Sequence, residues 1–125
     1  MPLAEYTIIR AYLPKEGHAK KNLLTEIVDL LKESAPVGCM GNYAAVYACS
    51  ESTGGFTPLA GANPTKGIVD LDEACSDTIF TTYAAAHVPP EAVERFVDKL
   101  VHIHPFEHPL IEIYREGKVY LWTPN

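Results

Sequence analysis

TIFTTYAAAHVPPEAVERFVDKLVHIHPFEHPLIEIY, residues 78–114, reads as strand, helix, strand. Thr78 to His87 is rich in β-branched and aromatic residues bounded by a proline pair, the composition of a strand. Val88-Pro89-Pro90-Glu91 then starts a helix. Proline suits a first turn whose N–H groups lack partners anyway, and an acid suits the positive end of the dipole. Val93, Phe96, Val97 and Leu100 recur at helical spacing and mark the buried side of a helix running to about Ile103, which Pro105 ends. Leu110 to Tyr114 alternates as a strand again.

The N-terminal half repeats this order. Glu5 to Leu13 (EYTIIRAYL) is a strand, broken by Pro14 to Gly17. His18 to Ala35 carries Leu23, Leu24, Ile27, Leu30 and Leu31 on one helical face, and Pro36 and Gly38 stop it. Asn42 to Ser50 alternates as a second strand. Ser52 to Asp77 is irregular, about 25 residues punctuated by glycine and proline, a length that marks a functional or mobile loop. At the other end, Glu116-Gly117 turns the chain into a short fifth strand, Lys118 to Trp122, as a hairpin. The expected fold class is α+β: a ferredoxin-like βαββαβ sandwich with both helices on one face and an extra C-terminal strand. At 125 residues, the chain is one domain, residues 1–125.

Strand side chains alternate between faces. Ile9, Ala11 and Leu13, then Ala44, Val46 and Ala48, then Ile111, Ile113, Val119 and Leu121 form an aliphatic set for packing under the helices. Tyr6, Ile8, Arg10 and Tyr12, then Tyr43, Ala45 and Tyr47, then Glu112, Tyr114, Tyr120 and Trp122 form the opposite set. Tyr83 falls in neither. Such an aromatic face is poor core and good interface, and a monomer rarely leaves one bare. The expectation is a homo-oligomer; the alternative is tyrosine chosen only for its strand propensity.

The net charge of −6 argues against nucleic acid or an anionic membrane as partner, because either would want a basic face. The cysteines Cys39, Cys49 and Cys75 are odd in number and form no CxxC pair, so neither a disulfide framework nor a zinc knuckle is expected. Residues 1–12 show no apolar signal region, and no stretch has the roughly 18 apolar residues of a membrane helix. The expectation is a reduced, cytoplasmic protein.

Three features bear on chemistry. The block HIHPFEHP places His104, Glu107 and His108 within a segment that prolines hold out of helix, and imidazole with carboxylate suits zinc or copper. The spacing His-x-His does not suit one helical face but suits an extended segment after the helix end. The competing and preferred reading is a helix C-terminus, where histidines sit well against the dipole. The glycine-rich segment could cradle a phosphate through backbone N–H groups. It matches neither GxxxxGK[ST] nor GxGxxG, however, and carries a single lysine, Lys66. Ser50, Ser52, Cys39 and Cys49 lack the surroundings of an activated nucleophile, and Asp70, Asp72 and Glu73 read as a solvated turn.

Gly41-Asn42-Tyr43, Phe56-Thr57-Pro58, Gly61-Ala62-Asn63-Pro64 with Gly67, and His104-Pro105-Phe106-Glu107-His108-Pro109 before Ile113-Tyr114 occur here in that order. Together they resemble the PII/CutA-like domain inserted in the Nif-three-like (YqfO-type) dimetal-binding proteins, and its stand-alone relatives. The likeness runs from about Tyr6 to Tyr114. It implies a ferredoxin-like fold and oligomeric, preferably trimeric, assembly. It does not carry over a dimetal hydrolase, whose metals belong to a flanking core domain. The family block usually reads His-Pro-Tyr-Glu-Glu-Pro; Phe106 and His108 depart from it and shift its donors from carboxylate towards imidazole.

The expectation is therefore a non-enzymatic oligomer binding a small molecule or metal ion at subunit clefts. Gly41, Asn42, Tyr43, Gly54, Gly55, Gly61, Asn63 and Gly67 are its candidate ligand residues, and His104, Glu107 and His108 its candidate metal ligands. The alternative is a structural or protein-interaction domain with no small ligand, and a small hydrolase ranks third.

Overall fold

The computed structural model describes residues 3–15, 23–64 and 67–122. Its elements are β1 (Leu3–Pro14), α1 (Leu23–Lys32), β2 (Tyr47–Phe56), β3 (Glu73–Ala85), α2 (Pro90–Ile103) and β4 (Ile111–Trp122). The strands form one sheet in the order β2-β3-β1-β4, and every neighbouring pair is antiparallel. This is the expected α+β, ferredoxin-like arrangement.

Alternation in β1 sets the layers. Ile9, Ala11 and Leu13 are buried, and their partners across the ladder include Phe80 and Thr82 of β3. Leu23, Ile27, Leu30 and Leu31 of α1 join the same cluster as Val93, Phe96 and Leu100 of α2. Phe96 and Phe80 are almost wholly buried, each side chain contributing roughly 2–3 kcal/mol of transfer free energy. Thr82 is the polar member, and its hydroxyl donates to the Val46 carbonyl at 2.8 Å. Pro90 and Glu91 open α2 as expected, and the helix ends where His104 turns extended.

Four expectations change. The first helix is confined to Leu23–Lys32; residues 18–22 lie outside the described ones, and Ser34 closes the far end by donating to the Leu30 carbonyl at 2.6 Å. The second strand begins at Tyr47, not Asn42. Asn42 to Val46 is instead tied down by Met40–Tyr43 backbone bonds and by the Val46 N–H donating to the Gly38 carbonyl at 2.8 Å, which leaves no strand to extend. The supposed long loop is mostly sheet at its ends: Ser52–Phe56 belongs to β2 and Glu73–Asp77 to β3, paired in register. Gly54 and Gly55 therefore lie in a strand. Finally, the two C-terminal strands are one strand, β4, which runs through Glu116-Gly117 without a hairpin, and the described residues contain no fifth strand. A register shift opposite Tyr6 and Ile8 absorbs the extra residues, so the continuous edge of β1 accepts both halves.

Registers also settle the faces. Ile8, Arg10 and Tyr12 lie on the helix-free side with Tyr83, Glu112 and Tyr114, as their ladder partners show. Tyr83 thereby gains a place on that face. Tyr47 moves the other way: it pairs with Thr82, on the helix side, and stacks on Phe80 with centroids 5.5 Å apart. The expected division of the second strand is thus inverted, and Ala48 faces away from the helices beside Thr81. Tyr120 and Trp122 have side chains outside the described residues.

Candidate functional site

β1 and β2 finish, and β3 and β4 begin, at the same end of the sheet. Two segments meet there. Thr57 to Asp72 joins β2 to β3, and its neck is clamped. The Thr57 hydroxyl donates to Asp72 Oδ1 at 2.5 Å, and the Asp70 N–H donates to the Pro58 carbonyl at 2.6 Å. Asp70 adopts φ 66 to do so, a left-handed conformation that aspartate tolerates better than most residues. The segment His104 to Leu110 joins α2 to β4. One bond ties the two segments together: the Asn63 N–H donates to Glu107 Oε1 at 3.0 Å.

Between them lies a cavity of about 760 Å³. Its floor is the helix-free face of the sheet, through Tyr12, Ser52, Gly54, Cys75 and Asp77, and its walls include Phe56, Leu59, Phe106 and Leu110. This size and predominantly apolar lining with a few polar groups is that of a small-molecule site. Two glycines shape the strand beneath it. A Cβ on Gly55 would fall 2.7 Å from the Glu73 carbonyl oxygen, so only glycine lets β2 approach β3 there. A Cβ on Gly54 would meet nothing within 4 Å, and this glycine lines the cavity.

The expected site residues divide accordingly. Gly54, Gly55 and Gly61 line the cavity with Glu107 and His108, and Asn63 latches onto Glu107 at its rim. Gly67 is not a lining residue; at φ +98 it packs near Pro58 and Glu73 and serves the turn. Gly41, Asn42 and Tyr43 form an exposed turn and do not line the cavity, Gly41 taking φ +57. The expected metal trio does not assemble. Among the described residues no three His, Cys, Asp or Glu side chains converge on a metal position. His104 is buried, and both ring nitrogens are engaged: Nε2 lies 2.7 Å from the Tyr12 carbonyl, and Nδ1 accepts from the Phe106 N–H at 3.1 Å. A carbonyl can only accept, so the proton sits on Nε2 and neither lone pair is free for a metal. His104 therefore pins the His104–Leu110 segment to β1.

Asp77 carries no local signal of its own, because the β-rich composition begins only at Thr78. Extending the alternation of β3 backwards, through Ile79 to Asp77 and Cys75, puts a carboxylate on the open face. Electrostatically, Tyr12 stands out. Its hydroxyl is hydrogen-bonded to the Glu112 carboxylate, which with lesser desolvation raises its pKa. Tyr114 donates to the same carboxylate at 3.0 Å, and the Arg10 guanidinium lies 5.2 Å from the centre of the Tyr114 ring. Desolvation pushes the Cys49 thiol up, the opposite of what an activated nucleophile needs. No helix among the described residues is long and apolar enough to cross a membrane.

No family model matches the sequence, and no curated protein matches it. Among solved structures the chain is similar to a Bacillus cereus protein related to NIF3, with TM-score 0.66 and 20% identity over 94% of this chain and 28% of that one. It is also similar to the divalent ion tolerance protein CutA1 from Ehrlichia chaffeensis, with TM-score 0.59 and 13% identity over 93% of this chain and 85% of that one. At these identities the likeness establishes the fold. The chain spans 28% of the length of the NIF3-related protein.

Proposed function

We propose that this protein is a non-enzymatic, oligomeric PII/CutA-like module that binds a small molecule in the cavity at the loop end of its sheet. One observation carries the reading: the Asn63–Glu107 bond brings the glycine-rich segment and the HPFEHP block, distant in sequence, onto opposite sides of one cavity. The shared fold with a CutA1 protein and with part of a NIF3-related protein supports it. A zinc or copper ion at Glu107 and His108 would need its remaining donors from a second copy of the chain. Calorimetry with either metal tests that narrower possibility.

Assembly through the helix-free face, preferably as a trimer, would place the cavity near a subunit boundary. That face presents Tyr12, Tyr83 and Tyr114, aromatic groups with polar tips suited to an interface. Light scattering of dilute protein should give a mass well above the 13.7 kDa of one chain. Ile8→Asp, which places a charge in the middle of this face, should dissociate the assembly while leaving the helix-side core intact. A wild type that stays monomeric at micromolar concentration refutes the assembly. An assembly indifferent to Ile8→Asp moves the interface to another surface.

A further inference from the structure

The cavity floor holds a carboxylate that the fold does not satisfy. Asp77 is only 9% exposed. Its Oδ1 is shut off from solvent and has no hydrogen-bond partner among the described residues. Its Oδ2 has the Cys75 thiol at 3.8 Å, a long contact from a weak donor. Native proteins rarely leave a desolvated carboxylate so poorly paired, because an unmet acceptor costs its full desolvation and a charge costs more. Asp77 lines the cavity, so a cation held there offsets its charge and can donate to Oδ2, which has only the weak Cys75 contact.

We propose that Asp77 is the anchor of the cavity and that its ligand is an organic cation, an ammonium or guanidinium group carried on an apolar body. This deepens the ligand-binding reading above and rests on it. The charge of the site selects the head group. Asp77 and Glu107 line the cavity, and among its described lining residues there is no lysine or arginine. Phosphates and carboxylates are therefore repelled, while N–H donors supply charge and hydrogen bonds together. The walls select the body: Phe56, Leu59, Phe106 and Leu110 offer apolar and aromatic surface, against which a hydrocarbon chain or ring packs. A bare divalent ion fits less well, because such ions take several oxygen ligands and no three donors converge here among the described residues.

Calorimetry on the full chain in its native assembly tests the proposal, with three probes sharing one ring: 2-phenylethylamine, 2-phenylethanol and 3-phenylpropanoate. The amine should bind, the alcohol at least about tenfold more weakly, and the acid not measurably. Asp77→Asn keeps the shape and removes the charge. It should weaken the amine by about tenfold or more and leave the alcohol unchanged. Without ligand, it should melt at or above the wild-type temperature, since it relieves a buried, unpaired charge. Equal binding of amine and alcohol, both abolished by Gly54→Leu filling the cavity, overturns the Asp77 anchor and leaves the cavity reading standing. Failure of all three probes overturns the anchor as well. So does an Asp77→Asn variant that melts lower, which makes Asp77 a structural group, or one that falls apart into single chains. In that last case the partner of the carboxylate is a basic side chain of a second copy.

Discussion

Replacing His104 with alanine should cost about 3 kcal/mol of folding stability, the sum of two lost hydrogen bonds, their stranded partners and a small void. The ring is buried and joins two parts of the chain 92 residues apart in sequence. Alanine leaves the Tyr12 carbonyl without its Nε2–H donor and the Phe106 N–H without its Nδ1 acceptor. Phe106 also loses the ring against which it packs, at 5.2 Å between centroids. The loss should concentrate at the segment carrying Glu107 and His108, so amide exchange there should quicken more than in α2. Chemical denaturation measures the whole effect, and chelator treatment separates it from metal loss. A wild type whose melting temperature drops with a chelator, together with a His104→Ala variant that melts normally, would return His104 to the role of metal ligand.

Gly55→Val should be nearly as damaging and Gly54→Ala neutral to stabilising, although the two glycines are adjacent. At Gly55 any Cβ collides with the Glu73 backbone carbonyl, and only separation of β2 from β3 relieves it. Overpacking of this kind costs roughly 1–3 kcal/mol, and valine lies at the upper end because its branches cannot rotate clear. The displaced strand end carries Phe56 and the loop neck, so the cavity should lose its shape along with stability. At Gly54 the added methyl meets open space, and exchanging glycine for alanine in extended backbone gains up to about 1 kcal/mol by restricting the unfolded chain. Paired urea titrations of the two variants read this directly. Equal effects would mean that the end of β2 is not held as close to β3 as the register requires.

The parts of the fold legible in the sequence were those whose signal is local. Ile27 and Leu31, or Phe96 and Leu100, sit one turn apart on a helix, and Ile9, Ala11 and Leu13 alternate, so burial writes its own period into the chain. What could not be read depended on partners far away. β2 runs through a glycine pair that propensity disfavours because β3 supplies its ladder from the other side of a loop. β4 runs through Glu116-Gly117, a turn signal in isolation, because β1 is long enough to pair with both halves. Tyr47 reads as a second-face aromatic until the true start of its strand reverses the parity. At the site, the glycine segment and the HPFEHP block were both legible as unusual. Their meeting, the structural role of His104 and the presence of Asp77 beneath them follow from sheet register, which no single stretch encodes.

Native mass spectrometry of the protein as purified, with no ligand added, tests the central claim most directly, because it reads assembly and occupancy in one spectrum. The expected spectrum shows an assembly at three times the 13.7 kDa of the chain, with a small organic adduct on each chain that activation releases as a cation. A bare 13.7 kDa chain, with neither partner nor adduct under conditions that preserve weak complexes, would contradict the assembly and the bound cation alike.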